Sequence, residues 1–223
     1  MPRTWIPAAL GVATVVAALV FALAPGLDRD AAALFYAGGA HFAGDTPLGN
    51  ALRKLFYWLP TAVLLLMLAL YAARRFGRAV LWAPTGRGAV FLVLTFAVGP
   101  GLVANTILKE HSHRPRPYQT AGFGGDEPFR PFYSFDGACR RNCSFVSGEG
   151  ATSAWTLGPA LLVPPPWQGA AIAASLVFAV LSGTLRMAFG GHYFSDAVFA
   201  VLLSWWVLWL GWVLCAPRRR TAP

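Results

Sequence analysis

The chain has 223 residues, of which 57% are hydrophobic and only 12% charged, and its formal net charge is +9. Soluble domains carry roughly 25% charged residues, and the apolar residues here stand in long unbroken blocks, so a soluble two-domain arrangement is excluded: most of those blocks would have nowhere to be buried. The positive balance invites a nucleic-acid reading, but most basic residues flank apolar blocks or share one loop with acids. They read as positive-inside anchors, and no nucleic-acid partner is expected.

About 20 apolar residues are needed to cross the hydrocarbon core, and six spans can be read. The first runs from about Trp5 to Ala24, after Arg3. It starts positive and ends in small residues, as a cleaved secretion signal does, but its apolar run is too long and it reads as an anchor. The stretch Leu27 to Lys54 is polar, with Asp28, Asp30, His41 and Asp45, and is expected along the membrane surface. Its mildly apolar middle, Ala31 to Phe42, suits an interfacial helix. The second span is about Phe56 to Ala73, closed by Arg74, Arg75 and Arg78. Arg87 then precedes the third, about Gly88 to Leu108. A long polar loop covers Lys109 to roughly Ser147. The fourth span, about Gly150 to Val163, stops at Pro164, Pro165 and Pro166, which cannot continue a helix. The fifth is about Ala170 to Phe189 and the sixth about Ser195 to Ala216, before Arg218, Arg219 and Arg220. The expected fold class is therefore all-α, a six-transmembrane-helix bundle forming one membrane domain over 1–223. No oligomeric state follows from the sequence.

With six spans, Arg3, the arginines of the second loop and the terminal triplet share one side, expected to be cytoplasmic with both termini. The loop after the third span and the turn between the fifth and sixth then face outward, at the periplasmic interface of a bacterial inner membrane. That loop carries Lys109, Arg114, Arg116, Arg130, Arg140 and Arg141 against the topological bias, partly offset by Glu110, Asp126, Glu127 and Asp136. The excess points to an anionic ligand. Cys139 and Cys143 lie in the same loop without zinc-ligand spacing around them; in an oxidising compartment they can pair, if geometry permits.

Three segments fall at outward ends of spans: Lys109 with Arg116 and Pro117, then Ser147, Gly148 and Glu149, then Arg186, His192 and Asp196. These residue types suit phosphoryl transfer, whose transition state spreads charge over three equatorial oxygens. Lys109, Arg116 and Arg186 can give charge-assisted hydrogen bonds. Ser147 and Gly148 would open a helix, where free N–H groups favour an anion. His192 and Asp196, four apart, share a helical face. An aspartate on one ring nitrogen would leave the other free to attack phosphorus, without any metal or cofactor. Arg114, Arg140 and Arg141 suit extra phosphate or sugar groups as well as the plain surface. His111 and His113 read mainly as solvated loop residues, and the tryptophans 205, 206, 209 and 212 as a packing or lipid-facing stripe. Transport is disfavoured, since the middles of the spans carry essentially no ionisable residues.

This pattern resembles the type 2 phosphatidic acid phosphatase family, whose motifs read Lys-x6-Arg-Pro, Pro-Ser-Gly-His and Ser-Arg-x5-His-x3-Asp. Lys109, Arg116 and Pro117 match the first, and Arg186, His192 and Asp196 the third, with Leu185 in place of serine. The resemblance implies a membrane lipid phosphatase in which His192 is the nucleophile and Asp196 orients it. Lys109, Arg116, Arg186, Ser147 and Gly148 then cradle the phosphate. Lipid A is the first expected substrate, then undecaprenyl diphosphate, then phosphatidylglycerophosphate or phosphatidic acid; a phosphotransferase would use the same site. In the middle motif Val146 replaces proline, and Glu149 stands where the family's second histidine protonates the leaving oxygen. Two consequences are open: a catalytically silent lipid-phosphate binder, or an enzyme favouring leaving groups that need little protonation, such as an anomeric sugar phosphate or a diphosphate. If Glu149 instead serves as the acid, it belongs with His192 and Asp196 among the catalytic residues.

Overall fold

Among the described residues of the computed structural model, five helices are long and apolar enough to cross a membrane: Trp5–Leu23, Pro47–Arg75, Gly86–His111, Gln168–Ala188 and Phe194–Cys215. The structure describes residues 5–39 and 41–215. Arg3, Ala216 and the arginines 218–220, used above for orientation, lie outside the described residues. In chain order the elements are α1 (Trp5–Leu23), α2 (Gly26–Ala33), β1 (Tyr36–Gly38), β2 (His41–Phe42) and α3 (Pro47–Arg75). Then follow α4 (Gly86–Phe96), a π-helical stretch (Ala97–Leu108), α5 (Lys109–His111), α6 (Gly148–Trp155), α7 (Leu157–Leu162), α8 (Gln168–Ala188) and α9 (Phe194–Cys215).

Two boundaries differ from expectation in ways that matter for the site. The last part of the polar stretch, from Pro47 to Lys54, already belongs to the long helix α3. Thr46 caps α3 by accepting from the Gly49 amide at 3.0 Å, and Pro47 takes the first helical position, which suits both residues. The helix therefore starts at Pro47 rather than near Phe56 and carries Arg53 in its second turn. The interfacial helix expected over Ala31 to Phe42 is also replaced. The shorter α2 ends at Ala33, and Gly38 and Gly39, both at positive φ, turn the chain into an antiparallel hairpin. The all-α expectation thus holds apart from this two-stranded sheet.

The fourth expected span is not a full-length helix. It is two short helices of eight and six residues, α6 and α7, meeting at Thr156. At 1.5 Å per residue they cover about 22 Å, less than the roughly 30 Å hydrocarbon core. The proline run after Val163 ends them. Most of α6 is buried, because α3, α8, α9 and the π-helical stretch surround it. Trp155 of α6 anchors the main core with Leu64, Phe91, Leu92, Leu162 and Leu208, and its indole N–H donates to Thr95 Oγ1 at 3.0 Å. Trp205 and Trp212 pack against this core, while the Trp206 indole donates to Thr14 on α1 at 3.0 Å. The tryptophan stripe is therefore packing.

The π-helical stretch contains Gly99, Pro100 and Gly101. Proline lacks the N–H that an α-helical ladder needs, and local widening is the usual accommodation. Asn105 Nδ2 donates to the Pro100 carbonyl at 2.7 Å and Thr106 Oγ1 to that of Gly101 at 3.1 Å. This widened segment leads directly into Lys109.

Candidate active site

The α3 N-terminal turns, the end of the π-helical stretch, the start of α6, the end of α8 and the start of α9 meet at one end of the bundle. There Lys109 lies within electrostatic reach of Arg116, Arg186, Glu149 and Asp196, and His192 within reach of Arg186 and Lys109. The segments singled out in the sequence are thus brought together.

Ser147 is the N-cap of α6: its hydroxyl accepts from the Gly150 amide at 3.1 Å. The amides of Gly148 and Glu149 begin the helix, where no carbonyl one turn back can pair with them. Gly148 is needed for closeness: a Cβ there would stand 2.2 Å from Asn105 Oδ1 and 3.1 Å from Lys109 Nζ. Gly148→Ala is accordingly expected to displace Lys109 and weaken inorganic phosphate binding roughly tenfold, about the worth of one hydrogen bond to a charged group. Titration calorimetry reads this, with Gly122→Ala, where the new Cβ meets open space, as the unaffected control.

Arg186 is 3% exposed. Its Nε and Nη1 make no hydrogen bond, although Nε lies 3.4 Å from Glu149 Oε1. Buried guanidinium donors are rarely left without acceptors, so this group is poised for an incoming anion. Gly191 makes room for it, since a Cβ there would lie 2.5 Å from Arg186 Nη2. Arg116 is held from outside: Nε and Nη2 donate to the Asn142 carbonyl at 3.1 and 2.8 Å, and Nη2 also to Asn142 Oδ1 at 2.9 Å.

His192 is buried, and its Nδ1 lies 2.7 Å from the Ser144 carbonyl. A carbonyl only accepts, so Nδ1 carries the proton and Nε2 keeps its lone pair. Burial, reinforced by the Arg186 and Lys109 charges, pushes the His192 pKa from 6.5 down to about 3; the ring is neutral at physiological pH. The direct His192–Asp196 hydrogen bond expected from the four-residue spacing is not formed, since Nδ1 and Asp196 Oδ2 are 3.7 Å apart. The Asp196 oxygens are already taken by Arg114 Nη1 at 2.6 Å, by the Ser144 hydroxyl and by the Tyr193 amide at 2.8 Å. Ser144 therefore links the two residues, its hydroxyl donating to Asp196 and its carbonyl accepting from His192.

Arg114 is neither a surface residue nor a phosphate ligand. It is wholly buried and bridges Asp196 to Asp28 of α2, with Nη2 2.6 Å from Asp28 Oδ2. Asp28 in turn accepts from the Ser195 amide and hydroxyl at 2.8 and 2.7 Å. Arg140 and Arg141 stay exposed. His111 is exposed and bonds back to Ile107, and His113 contacts the Cys139 carbonyl at 2.9 Å.

The long loop between Lys109 and Ser147 is stapled rather than free. The Cys143 amide donates to Lys109 O at 3.0 Å, Ser144 N to Arg114 O at 2.9 Å, and Cys139 N to His113 O at 3.3 Å. Cys139 and Cys143 form a disulfide with their Cα atoms 5.7 Å apart. The closed turn presents Asn142 to Arg116 and leads into Ser144 beneath His192.

Glu149 lies between two arginines. Besides Arg186, Arg53 Nε and Nη2 each lie 3.4 Å from its Oε1. Four cations, Lys109, Arg116, Arg186 and Arg53, thus face one local carboxylate, because Asp196 is already paired with Arg114. That balance suits a phosphate dianion. Sequence reading missed Arg53, Asp28 and Ser144; only the Thr46-Pro47 helix start signalled that Arg53 belongs to a helix end.

The family model described as the PAP2 superfamily matches residues 88–220. A lipid A 4'-phosphatase of Rhizobium leguminosarum is 34% identical over 199 residues, covering 83% of this chain and 85% of that protein. One from Rhizobium etli is 36% identical over 187 residues, covering 83% and 71% respectively. One from Francisella tularensis subsp. novicida is 37% identical over 123 residues, covering 53% and 55%. Among solved structures, a transmembrane PAP2-type phosphatidylglycerolphosphate phosphatase from Bacillus subtilis matches with a TM-score of 0.61 at 20% identity, over 95% of this chain and 96% of that one.

Proposed function

The chain belongs to the PAP2 superfamily, and from that premise we propose that it is a lipid A 4'-phosphatase working through a phosphohistidine. The observation that carries this reading is the neutral His192, with Nδ1 engaged by Ser144 and Nε2 free to attack, among Lys109, Arg116 and Arg186. The substrate class rests on the relatives named for that activity.

In this mechanism the phosphate sits on the α6 N-terminus, its oxygens facing Lys109, Arg116, Arg186 and the Gly148 amide. His192 Nε2 forms a bond to phosphorus as the bond to the sugar oxygen breaks. Water then attacks the phosphohistidine, releasing inorganic phosphate and returning the lone pair to Nε2. Asp196 acts through Ser144, fixing the loop whose carbonyl holds the ring.

The 4'-phosphate is an ester of a secondary sugar hydroxyl, not an anomeric one, so the preference for an anomeric leaving group is not carried forward. A departing alkoxide of this kind needs a proton; Glu149, left with Arg53 alone once the phosphate occupies Arg186, is the carboxyl that carries it to the sugar oxygen and recovers one from the attacking water. Glu149→Gln is expected to lower kcat on lipid A about 10²–10⁴-fold, the usual worth of general-acid help. Released phosphate measures it; unchanged kcat would remove Glu149 from the chemistry.

The protein is a multi-pass membrane protein. In the proposed arrangement it crosses a bacterial inner membrane six times, with α6 and α7 as a short pass shielded by neighbouring helices, and the whole chain acts as one unit. Both termini are cytoplasmic and the site is periplasmic. Arg74 and Arg75 at the far end of α3 support this orientation, as does the Cys139–Cys143 disulfide, which fits an oxidising compartment. The deciding experiment is phosphate release by the detergent-solubilised protein from lipid A, undecaprenyl diphosphate, phosphatidylglycerophosphate and phosphatidic acid. Fastest release from the 4'-position supports the reading. Preference for another lipid replaces the substrate, and phosphate binding without release from any makes the protein a silent binder.

A further inference from the structure

We propose that Arg53 is a positioning residue that holds the Glu149 carboxylate away from the phosphate, so that an acidic side chain can stand in a site built for an anion. This rests on the phosphate-site reading above. A carboxylate beside a phosphate dianion repels it, and like charges this close cost affinity unless one is neutralised. Glu149 Oε1 is shared between Arg186 Nε and the Arg53 guanidinium, all at 3.4 Å. Glu149 thus occupies part of the cation set that a phosphate would need, acting as an internal counter-anion.

The two arginines are not equivalent. Arg186 is buried, with Nε and Nη1 making no hydrogen bond, and it stands by Gly191 and within reach of Lys109 and Arg116. Arg53 reaches Glu149 from a different helix, α3. Its side chain is 43% exposed, and its guanidinium rests over the Phe189 ring at 5.5 Å from the centroid. The Phe189 contact gives Arg53 a fixed seat independent of Glu149. When a phosphate takes Arg186, Glu149 keeps Arg53 as its partner and need not be expelled or left uncompensated. Arg53 thereby acts on the substrate only through Glu149.

That chain of action has a signature separating it from direct phosphate contact and from a structural role. Inorganic phosphate binding is measured by titration calorimetry on the full-length protein in detergent, for wild type, Arg53→Ala, Arg53→Lys, Glu149→Gln and the double variant Arg53→Ala/Glu149→Gln. Arg53→Ala is expected to weaken phosphate roughly tenfold, with Arg53→Lys recovering most of the loss. In the Glu149→Gln background the same change should alter phosphate binding less than twofold, because no carboxylate charge remains to be held; such non-additivity is what coupling through Glu149 requires. An equal loss in both backgrounds makes Arg53 a direct or structural residue and overturns the inference, as does unchanged binding in Arg53→Ala or no phosphate binding by wild type. Phosphate binding that follows the expected pattern without lipid A hydrolysis would leave the Arg53 role intact while defeating the functional reading.

Discussion

His192→Ala abolishes phosphate release from lipid A, by at least ~10³-fold, if Nε2 is the attacking atom; loss of a nucleophile in a concerted site removes most of the rate. His192→Gln should be equally inactive, since it refills the buried space without a nucleophilic nitrogen. Rapid acid quench after mixing with radiolabelled substrate should trap acid-labile phosphate on the wild-type protein and none on either variant. The pH dependence adds a second check. The protein holds His192 neutral down to about pH 3, so kcat/KM, which reports free-enzyme ionisations, should show no loss from this ring between roughly pH 5 and 7. An acid limb near 6.5 matched by titration of the His192 ring in NMR would contradict the buried, neutral ring. The same shift bears on stability: the unfolded chain binds that proton near 6.5 and the folded chain only near about 3. Folding free energy from this residue is therefore fully present above 6.5 and falls as pH drops through that window.

The parts of the site legible in the sequence share a property: spacing carries them. Lys109 and Arg116 close one span, Arg186 and His192 bracket a turn, and Ser147-Gly148 begins a helix, so span ends alone bring them together. What escaped reading depends on partners distant along the chain. Asp28 looked like one of several acids in a polar segment, and nothing local distinguishes it from Asp30, yet it lies buried against Arg114. Four-residue spacing allows Asp196 to bond His192, yet the two stand 3.7 Å apart. Three other donors claim its oxygens, and Ser144 comes from a loop whose path the sequence does not dictate. The fourth span is as short in the sequence, about Gly150 to Val163, as in the structure, and only its break into two helices at Thr156 is not announced there. Apolar run length measures exposure to lipid, whereas α6 is enclosed by other helices and has no need of a full crossing length.

The buried network makes the strongest stability prediction. Arg114 donates to Asp196, Asp28, Ser195 and the Arg130 carbonyl, with the Tyr193 ring 4.3 Å away. Burial alone would push its pKa down; the charges of Asp196 and Asp28 outweigh that and leave it above the ordinary arginine value. Arg114→Met removes the one cation between two buried carboxylates. Breaking such a pair from one side costs about 3–5 kcal/mol, so unfolding in detergent should shift down by roughly 6–20 °C. Arg114→Lys should rescue little, because one ammonium cannot reproduce a planar fork that reaches two carboxylates at once. Adding Asp28→Asn to Arg114→Met should recover part of the loss by removing one stranded charge. The surface or lipid-binding role that the sequence allowed predicts the opposite pattern: unchanged thermal stability with a raised KM. A stability loss that Asp28→Asn partly reverses instead identifies Arg114 as the tie between α2 and the catalytic end of α9, and so makes the segment before α3 part of what holds the active site in place.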